Sequence, residues 1–320
     1  MDKYAVIGNP IEHSLSPEIH SAFATHTDQN LEYERLWAPN DGFVKRVESF
    51  IKDGGLGLNV TAPFKQDAFN WVTELDPLAT KAQAVNTIQI DGNRRIGFNT
   101  DGLGLVADLK RLDWQLENQK LLILGAGGAT MGILQPLLDV GCEITVANRT
   151  YSKAEALQLL YPSIQICSLD KLHTGWDIVI NSTSAMRVGS KLAVDTSVFE
   201  HAKCYDLTYS LDGTTPFLDS LIDVATDTSE GLGMLVEQAA EAFFIWRGIR
   251  PDTQSVLSQL RVPQPLRRFI AGAKCHKCGA DDRIYVEYDD LKTPNTQGCL
   301  ACGYRESRDG TTTVQIYEPK

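Results

Sequence analysis

Short apolar runs recur along the chain at strand length, and between them the apolar positions spread to helical spacing. Residues 3–8 predict a strand, and a helix opens at Ser16-Pro17, with Ser as N-cap and Pro at the first helical position. Residues 31–37 read as a second strand, 41–52 as a helix stopped by Gly54-Gly55, and 56–60 as a third strand. Runs at 83–90 and 94–98 flank Asp91-Gly92-Asn93, a hairpin signal. This first portion predicts α/β structure with mixed strands. From Lys120 the pattern is plainer. Residues 120–124 form a continuous apolar strand of the buried parallel kind, followed by a glycine turn and a helix to about 140. Further strands are expected at 143–147, 164–167, 178–181 and 203–207, and amphipathic segments lie between most of them. Such a βαβ series predicts a doubly wound parallel sheet. Helices at 234–247 and 252–260 close the region, before the proline-rich link Val262-Pro-Gln-Pro265.

Composition narrows the function classes. The 320 residues are 43% hydrophobic and 22% charged, in keeping with a globular chain. No apolar run approaches the ~18 residues of a membrane span, and Met1-Asp2-Lys3 lacks the features of a signal peptide, so a cytoplasmic protein with no membrane partner is expected. Acidic residues outnumber basic ones, 41 to 30, and the net charge of −11 disfavours nucleic acid as a partner.

Cysteine placement sets the tail apart. Cys142, Cys167 and Cys204 stand singly beside apolar residues and read as buried thiols. Cys275-His-Lys-Cys278-Gly and Cys299-Leu-Ala-Cys302-Gly repeat one knuckle, and two such knuckles suit a tetrahedral Zn²⁺ held by four thiolates. His276 reads as a bystander. Four protein ligands leave no open position, so the metal is expected to be structural. Residues 284–288 and 313–317 alternate as strands would, giving a zinc-ribbon-like appendix over 271–320. That segment has 7 Lys or Arg against 8 Asp or Glu and no basic stripe. A protein or self contact therefore fits it better than a polynucleotide.

Two further regions carry chemistry. Gly125-Ala126-Gly127-Gly128-Ala129 follows a strand and opens a helix, the setting in which glycines admit a dinucleotide pyrophosphate to the helix N-terminus. Thr130 stands where Gly or Ala would be expected. The next strand runs into Asn148-Arg149-Thr150, with no carboxylate for a ribose 2′-hydroxyl and with an Arg suited to a 2′-phosphate, which argues for NADP. In the N-terminal half, Ser14, Ser16, Asn59, Thr61, Lys65, Asn86 and Asp101 sit at predicted strand ends and loops, where α/β proteins gather ligands.

Taken in order, Asn9-Pro-x-x-His-Ser-x-Ser-Pro17, Asn59-Val-Thr-x-Pro-Phe-Lys65, Ala84-Val-Asn-Thr87, Asn99-Thr-Asp-Gly102 and the glycine turn resemble the shikimate dehydrogenase family. The series continues through Asn148-Arg-Thr150, Asn181-Ser-Thr-Ser184, Thr215-Pro-Phe-Leu218 and Gly231-Leu-Gly-Met-Leu-Val-Glu-Gln238, so the likeness spans residues 1 to about 262. The resemblance implies NADP-dependent, reversible reduction of 3-dehydroshikimate to shikimate, a step toward chorismate and the aromatic amino acids. By position it implies that Ser14 and Ser16 hold the substrate carboxylate and that Thr61, Asn86 and Gln238 contact its hydroxyls. Asn59 and Tyr209 are counted with the substrate set, and Lys65 and Asp101 are the implied catalytic pair. A carboxylate raises a nearby Lys pKa while burial lowers it, so sequence leaves open which of the pair carries the proton. Residues 125–129 are implied to take the pyrophosphate and Asn148, Arg149 and Thr150 the adenosine phosphate. Thr183, Leu207 and Gly231 fall near the nicotinamide. Tyr209 lacks the usual following Pro, and Glu230 replaces the usual Asp.

The expected organisation is a mixed-sheet α/β substrate domain (1–101 and 236–262), a Rossmann NADP domain (102–235) and the zinc ribbon. Asp101-Gly102 and residues 230–235 are expected hinge points. Two other readings remain open at this stage. One is a quinate/shikimate dehydrogenase with looser cofactor choice. The other is a non-catalytic regulatory paralogue acting through its ribbon.

Overall fold

The computed structural model describes residues 1–183, 194–211, 213–261, 266–270, 272–288, 294–299, 301–302 and 304–307. The linker prolines, Ser184 and the expected strand at 313–317 lie outside them. Residues 1–260 form one compact unit and the remainder a second.

The first sheet holds β1 (Asp2–Gly8), β2 (Leu31–Trp37), β3 (Gly55–Val60), β4 (Glu74–Leu75), β5 (Thr87–Asp91) and β6 (Arg94–Phe98), in the order β2-β1-β3-β5-β6-β4. β1 runs parallel to β2 and β3, while β5 is antiparallel to β3 and β6, so the sheet is mixed. Helices α1 (Ser16–His26), α2 (Phe43–Lys52), α3 (Lys65–Trp71) and α4 (Pro77–Ala82) belong to this half of the unit. The core side chains Ile7, Leu36, Val47, Phe50, Leu58, Phe64 and Ile88 pack as one buried cluster.

Helix α5 (Asp101–Arg111) leads into the second sheet. Its strands β7 (Lys120–Leu124), β8 (Glu143–Ala147), β9 (Gln165–Cys167), β10 (Ile178–Asn181), β11 (Lys203–Asp206) and β12 (Asp227–Glu230) take the order β12-β11-β10-β7-β8-β9. All its pairings are parallel, which is the doubly wound dinucleotide-binding order. Helices α6 (Gly128–Asp139), α7 (Tyr151–Leu160) and α8 (Pro216–Asp219) accompany these strands. Apolar clusters on the two faces of the strands bury both sides. That double burial explains why β7, β8 and β10 are mostly apolar.

The chain then returns through α9 (Leu232–Arg247) and α10 (Thr253–Leu260), which pack with α1 around Ile19, Phe23, Val236 and Phe243. Helix α5 is wedged between α9 and α6, and glycines permit the approach. A Cβ on Gly104 would meet Gln238 Cβ at 2.6 Å, and one on Gly102 would meet the Gly132 carbonyl at 2.6 Å. From the other side, a Cβ on Gly233 would collide with the Asp108 carboxyl. Asp108 is fully buried and accepts hydrogen bonds from Tyr205 Oη (2.6 Å) and Arg111 Nε (2.8 Å), tying α5 to β11.

Some local expectations change. Ser16 is not the cap of α1: Leu15 occupies that position, and Ser16 and Pro17 are already helical. The run at 83–90 is a strand only from Thr87, because Gln83 turns left-handed at φ +50° to end α4. β4 and β12 went unrecognised, the first for its two-residue length and the second for its polar sequence.

In the second unit, β13 (Leu266–Phe269), β14 (Ile284–Tyr288), β15 (Pro294–Cys299) and β16 (Arg305–Ser307) form an antiparallel sheet in sequence order. It begins a few residues before the expected start of the appendix.

The α5–α9 contact leaves no room for a methyl group. Gly104→Ala is expected to lower the unfolding free energy of the 1–260 unit by about 1–3 kcal/mol through overpacking. Urea denaturation of wild type and variant checks this, and an unchanged midpoint would contradict it.

Candidate functional site

The carboxyl ends of β1, β3 and β6 and the start of β5 lie together along the first sheet, and the candidate residues follow from them. Lys65 opens α3 and Asp101 opens α5. The backbone locks them in place: Val85 N–H donates to the Lys65 carbonyl (3.0 Å) and Asn86 N–H to the Phe98 carbonyl (3.0 Å). Lys65 Nζ lies 2.5 Å from Asp101 Oδ2, with the lysine side chain 33% exposed and the aspartate 14%. The pair is therefore open on the lysine side and supported from beneath. That support is Asn86, which donates from Nδ2 to Asp101 Oδ1 at 2.7 Å and contacts Gln238 Oε1 at 3.3 Å. Gln238 comes from α9 and is nearly buried, with its own amide N–H on the Leu235 carbonyl (2.9 Å). Lys65, Asp101, Asn86 and Gln238 thus form one connected polar set.

A second layer lies behind it. Asn59 is buried with all its hydrogen-bonding capacity engaged. Its Oδ1 accepts from Tyr33 Oη (2.7 Å) and faces His20 Nε2 (3.1 Å), while Nδ2 donates to Thr87 Oγ1 (3.0 Å) and the Asn86 carbonyl (3.4 Å). In this structure each polar atom of Asn59 is thus paired with a protein group. Thr100 reinforces Asn86, its N–H donating to Asn86 Oδ1 at 2.9 Å. Ser14 Oγ and Ser16 Oγ are 3.2 Å apart, and the Ser14 carbonyl is held by Arg35. Because Ser16 does not cap α1, its hydroxyl stays with Ser14. The Thr61 methyl packs close to Gly8, and the Thr61 hydroxyl has no hydrogen bond among the described residues. Tyr209 packs against the α1–α9 apolar cluster.

The nucleotide elements stand on the second sheet. Gly125 has φ +112° and could not carry a side chain without striking Ser182. Around Gly127 and Gly128, a Cβ would meet nothing within 4 Å, and no side chain caps α6. An uncapped helix N-terminus beside open space is a cradle for a pyrophosphate. The unusual Thr130 has a local reason. It is fully buried, its hydroxyl donates to the Gly125 carbonyl (2.9 Å), and it lies 2.8 Å from Ser182 Oγ, fastening the turn to β10. Asn148 Oδ1 accepts from Ala126 N–H (3.2 Å) and Nδ2 donates to the Thr150 carbonyl (2.8 Å). Arg149 and Thr150 are exposed beside it. The start of α5 meets α6 here: a Cβ on Gly132 of α6 would lie 3.4 Å from Asp101 Oδ2.

Comparison with known proteins accords with this arrangement. Residues 6–88 match the family described as shikimate dehydrogenase substrate binding domain, 108–202 the shikimate / quinate 5-dehydrogenase family, and 231–261 the shikimate 5'-dehydrogenase C-terminal domain. A shikimate dehydrogenase (NADP(+)) of Aromatoleum aromaticum is 47% identical over 272 residues, covering 82% of this chain and 97% of the relative. The chain belongs to the shikimate dehydrogenase family. Among solved structures similar to this family member, an Ael1 enzyme from Pseudomonas putida superposes with a TM-score of 0.79 at 41% identity, covering 82% of this chain and 99% of that one. A shikimate 5-dehydrogenase from Thermus thermophilus, in complex with NADP(H) and shikimate, gives 0.75 at 30% identity, with 82% and 99% covered.

On the remaining wall, this shikimate dehydrogenase family member gathers Thr183, Leu207 and Gly231 through backbone and Asn181. Thr183 donates from both N–H (3.1 Å) and Oγ1 (2.7 Å) to Asn181 Oδ1. Leu207 N–H donates to the Asn181 carbonyl (2.9 Å), and a Cβ on Gly231 would come within 2.5 Å of the Leu207 carbonyl. Asp206 holds the turn by accepting from Thr208 N–H (3.0 Å) and Thr215 Oγ1 (2.7 Å), and burial pushes its carboxyl above the usual range. Glu230 takes over the cap of α9, accepting Leu232 N–H at 2.8 Å.

The four tail cysteines converge. Their Sγ atoms all lie within 4.8 Å of one another, and the Cys275–Cys302 and Cys278–Cys299 pairs are each 3.8 Å apart. A tetrahedron with metal–sulfur bonds of about 2.3 Å has edges of about 3.8 Å, so the set fits a thiolate-bound ion. The knuckles share one backbone signature, Cys275 N–H to the Ala280 carbonyl (2.9 Å) and Cys299 N–H to the Tyr304 carbonyl (2.8 Å). His276 stacks edgewise on Tyr304 and is not part of the cluster. Residues 266–316 match a family described as probable metal-binding protein (DUF2387).

Tyr33, His20, Thr87 and Thr100 are the contributors that sequence reasoning did not assign. The two threonines were inside the recognised motifs, whereas nothing about Tyr33 or His20 marks them in one sequence.

Two outcomes follow from these sites. Burial pushes His20 down to about 3, so below its ordinary value near 6.5 the unfolded chain takes a proton that the folded one refuses. Its contribution to stability is complete above pH 6.5 and falls by up to about 1.4 kcal/mol per pH unit toward pH 3. Urea midpoints at pH 7.5 and 5.0 should separate less in His20→Gln than in wild type; equal separation would contradict the assignment. In the tail, isolated protein should carry one metal ion per chain by elemental analysis. Cys299→Ser should lose that ion together with hydrogen-exchange protection of β14.

Proposed function

We propose that this protein is an NADP-dependent shikimate dehydrogenase that interconverts shikimate and 3-dehydroshikimate, in the cytoplasm, as a step in the synthesis of aromatic amino acids. The contact of Lys65 with Asp101, supported by Asn86 and Gln238 and set against α6, carries the reading. When bound, the nicotinamide would accept or return the hydride at the substrate's C3. The protein's part is the proton and the orientation. Lys65 and Asp101 act as a unit that takes the C3 hydroxyl proton during oxidation and returns it during reduction. Asn86 and Gln238 hold neighbouring hydroxyls, with Thr61 and Tyr209 beside them, and Ser14 and Ser16 donate to the carboxylate. In the nucleotide half, the open space at Gly127 and Gly128 takes the pyrophosphate, Arg149 and Thr150 take the 2′-phosphate, and Thr183, Leu207 and Gly231 border the nicotinamide. The relative from Aromatoleum aromaticum, whose name carries NADP(+), and the absence of a carboxylate at 148–150 support that choice.

In the tail, Cys275, Cys278, Cys299 and Cys302 hold a structural Zn²⁺; their all-thiolate, closed tetrahedral set supports zinc over harder ions. The tail's near balance of charge supports a protein contact, with a second copy or another partner, over a nucleic acid.

The test is shikimate-dependent reduction of NADP⁺, followed by nicotinamide absorbance, with quinate and NAD⁺ in parallel. Turnover should be fastest with shikimate and NADP⁺. Lys65→Ala should lower kcat by about 10²–10⁴-fold, with the KM for shikimate changed far less. A loss confined to KM would make Lys65 a binding residue. Absence of wild-type turnover would sink the dehydrogenase reading.

A further inference from the structure

Three neighbouring strands of the second sheet end on buried polar residues. Asn181 closes β10, Asp206 closes β11 and Glu230 closes β12, each 2% exposed or less. They stand in register, Asn181 beside Asp206 and Asp206 beside Glu230, and so form one row across the sheet. A buried polar side chain is costly unless its bonding is satisfied, so a row of three needs a reason.

Each member does the same thing with its side chain. Asn181 Oδ1 accepts from Thr183 N–H (3.1 Å), Asp206 Oδ1 from Thr208 N–H (3.0 Å) and Glu230 Oε2 from Leu232 N–H (2.8 Å). In every case the acceptor takes the amide two residues ahead, where the chain leaves the sheet. A backbone N–H can only donate, so the Asn181 atom facing Thr183 is the oxygen. Its amide nitrogen therefore faces Asp206 Oδ1, at 3.2 Å. The turns are also tied to one another. Leu207 N–H donates to the Asn181 carbonyl (2.9 Å) and Gly231 N–H to the Thr208 carbonyl (2.9 Å). The fit is close: a Cβ on Gly231 would lie 2.5 Å from the Leu207 carbonyl oxygen, and one on Gly125 would lie 3.1 Å from the Thr183 methyl.

We propose that Asn181, Asp206 and Glu230 are positioning residues for the nicotinamide, a buried row that sets Thr183, Leu207 and Gly231 into a single wall. The inference rests on the dehydrogenase reading above and deepens it. None of the three side chains needs to touch the cofactor, because each acts through the turn that it closes. Hydride passage is sensitive to placement, and an error of about 1 Å can cost about 10²-fold in rate. The adenosine end is served by other elements, the glycine turn and the 148–150 loop, so the row should matter for one end of the cofactor only.

The test is Asn181→Ala, read by calorimetric titration with NADP⁺ and with adenosine 2′,5′-bisphosphate, which carries the 2′-phosphate but no nicotinamide. NADP⁺ should bind about tenfold more weakly than to wild type, the scale of one well-placed hydrogen bond, while the bisphosphate stays within twofold. The kcat for shikimate oxidation should fall at least about tenfold, with the KM for shikimate within twofold. Asn181→Ser should do the same, since its side chain is too short to reach Thr183 and Asp206 at once, and it serves if the alanine variant does not fold. Trp114→Phe is the control for stability alone. It removes a hydrogen bond to Asp227 (2.9 Å) at the opposite end of β12, so it should lower the thermal midpoint and leave both affinities as in wild type. Equal weakening of NADP⁺ and the bisphosphate in Asn181→Ala, unchanged affinity for both, or loss of NADP⁺ affinity in Trp114→Phe would overturn the row. These titrations need no shikimate. A wild type that binds NADP⁺ but leaves shikimate unreacted would therefore overturn the dehydrogenase reading while the two ligands still judge the row. A wild type that binds neither nucleotide would overturn both.

Discussion

The close approach of α5 and α9 is the contact on which the site depends. Asp101 begins one of these helices and Gln238 lies along the other, and they are joined through Asn86 across more than a hundred residues of intervening chain. Gly104 and Gly233 remove the side chains that would hold the axes apart. In most helix pairs such proximity would leave polar groups stranded. Here Asp108 fills the gap left by Gly233, and Tyr205 and Arg111 satisfy it. The same crossing carries the chain out of the first sheet, through the second and back. The helices that make the crossing are also those at which the chain passes from one sheet to the other.

Burial and exposure divide the work of the polar residues. Lys65 and the Arg149 loop reach toward solvent, where ligands arrive, while Asn59, Thr87, Asn86 and Thr100 are enclosed and bond to one another. Enclosed polar groups are tolerable only when satisfied, and a set satisfied in one orientation resists rearrangement. The outward-facing groups therefore inherit their geometry from the enclosed residues that bond to one another behind them.

Much of this was legible in the sequence, for identifiable reasons. The parallel strands at 120–124, 143–147 and 178–181 are buried on both faces and appear as mostly apolar runs. The cysteine knuckles needed only their spacing. The edge strand Asp227–Glu230 was illegible because its polar sequence has no apolar alternation, and its existence depends on backbone pairing with β11. Ser16 was misjudged as a cap because Ser-Pro is a good local start signal, yet the chain enters the helix one residue earlier. The bonds that Asn59 makes were illegible too, because its partners Tyr33, His20 and Thr87 are distant in sequence.

The link between Asn148 and Ala126 bears on how cofactor preference can change. One side chain belongs to the segment that would distinguish a phosphate from a hydroxyl on the ribose, yet it also clasps the glycine turn at Ala126. Position 148 is thus shared between recognition and architecture, while 149 and 150 project freely from the same loop. Evolutionary or engineered drift toward the other nicotinamide nucleotide has an unobstructed route through those two positions. A route through the third would first have to rebuild the glycine turn that Asn148 holds.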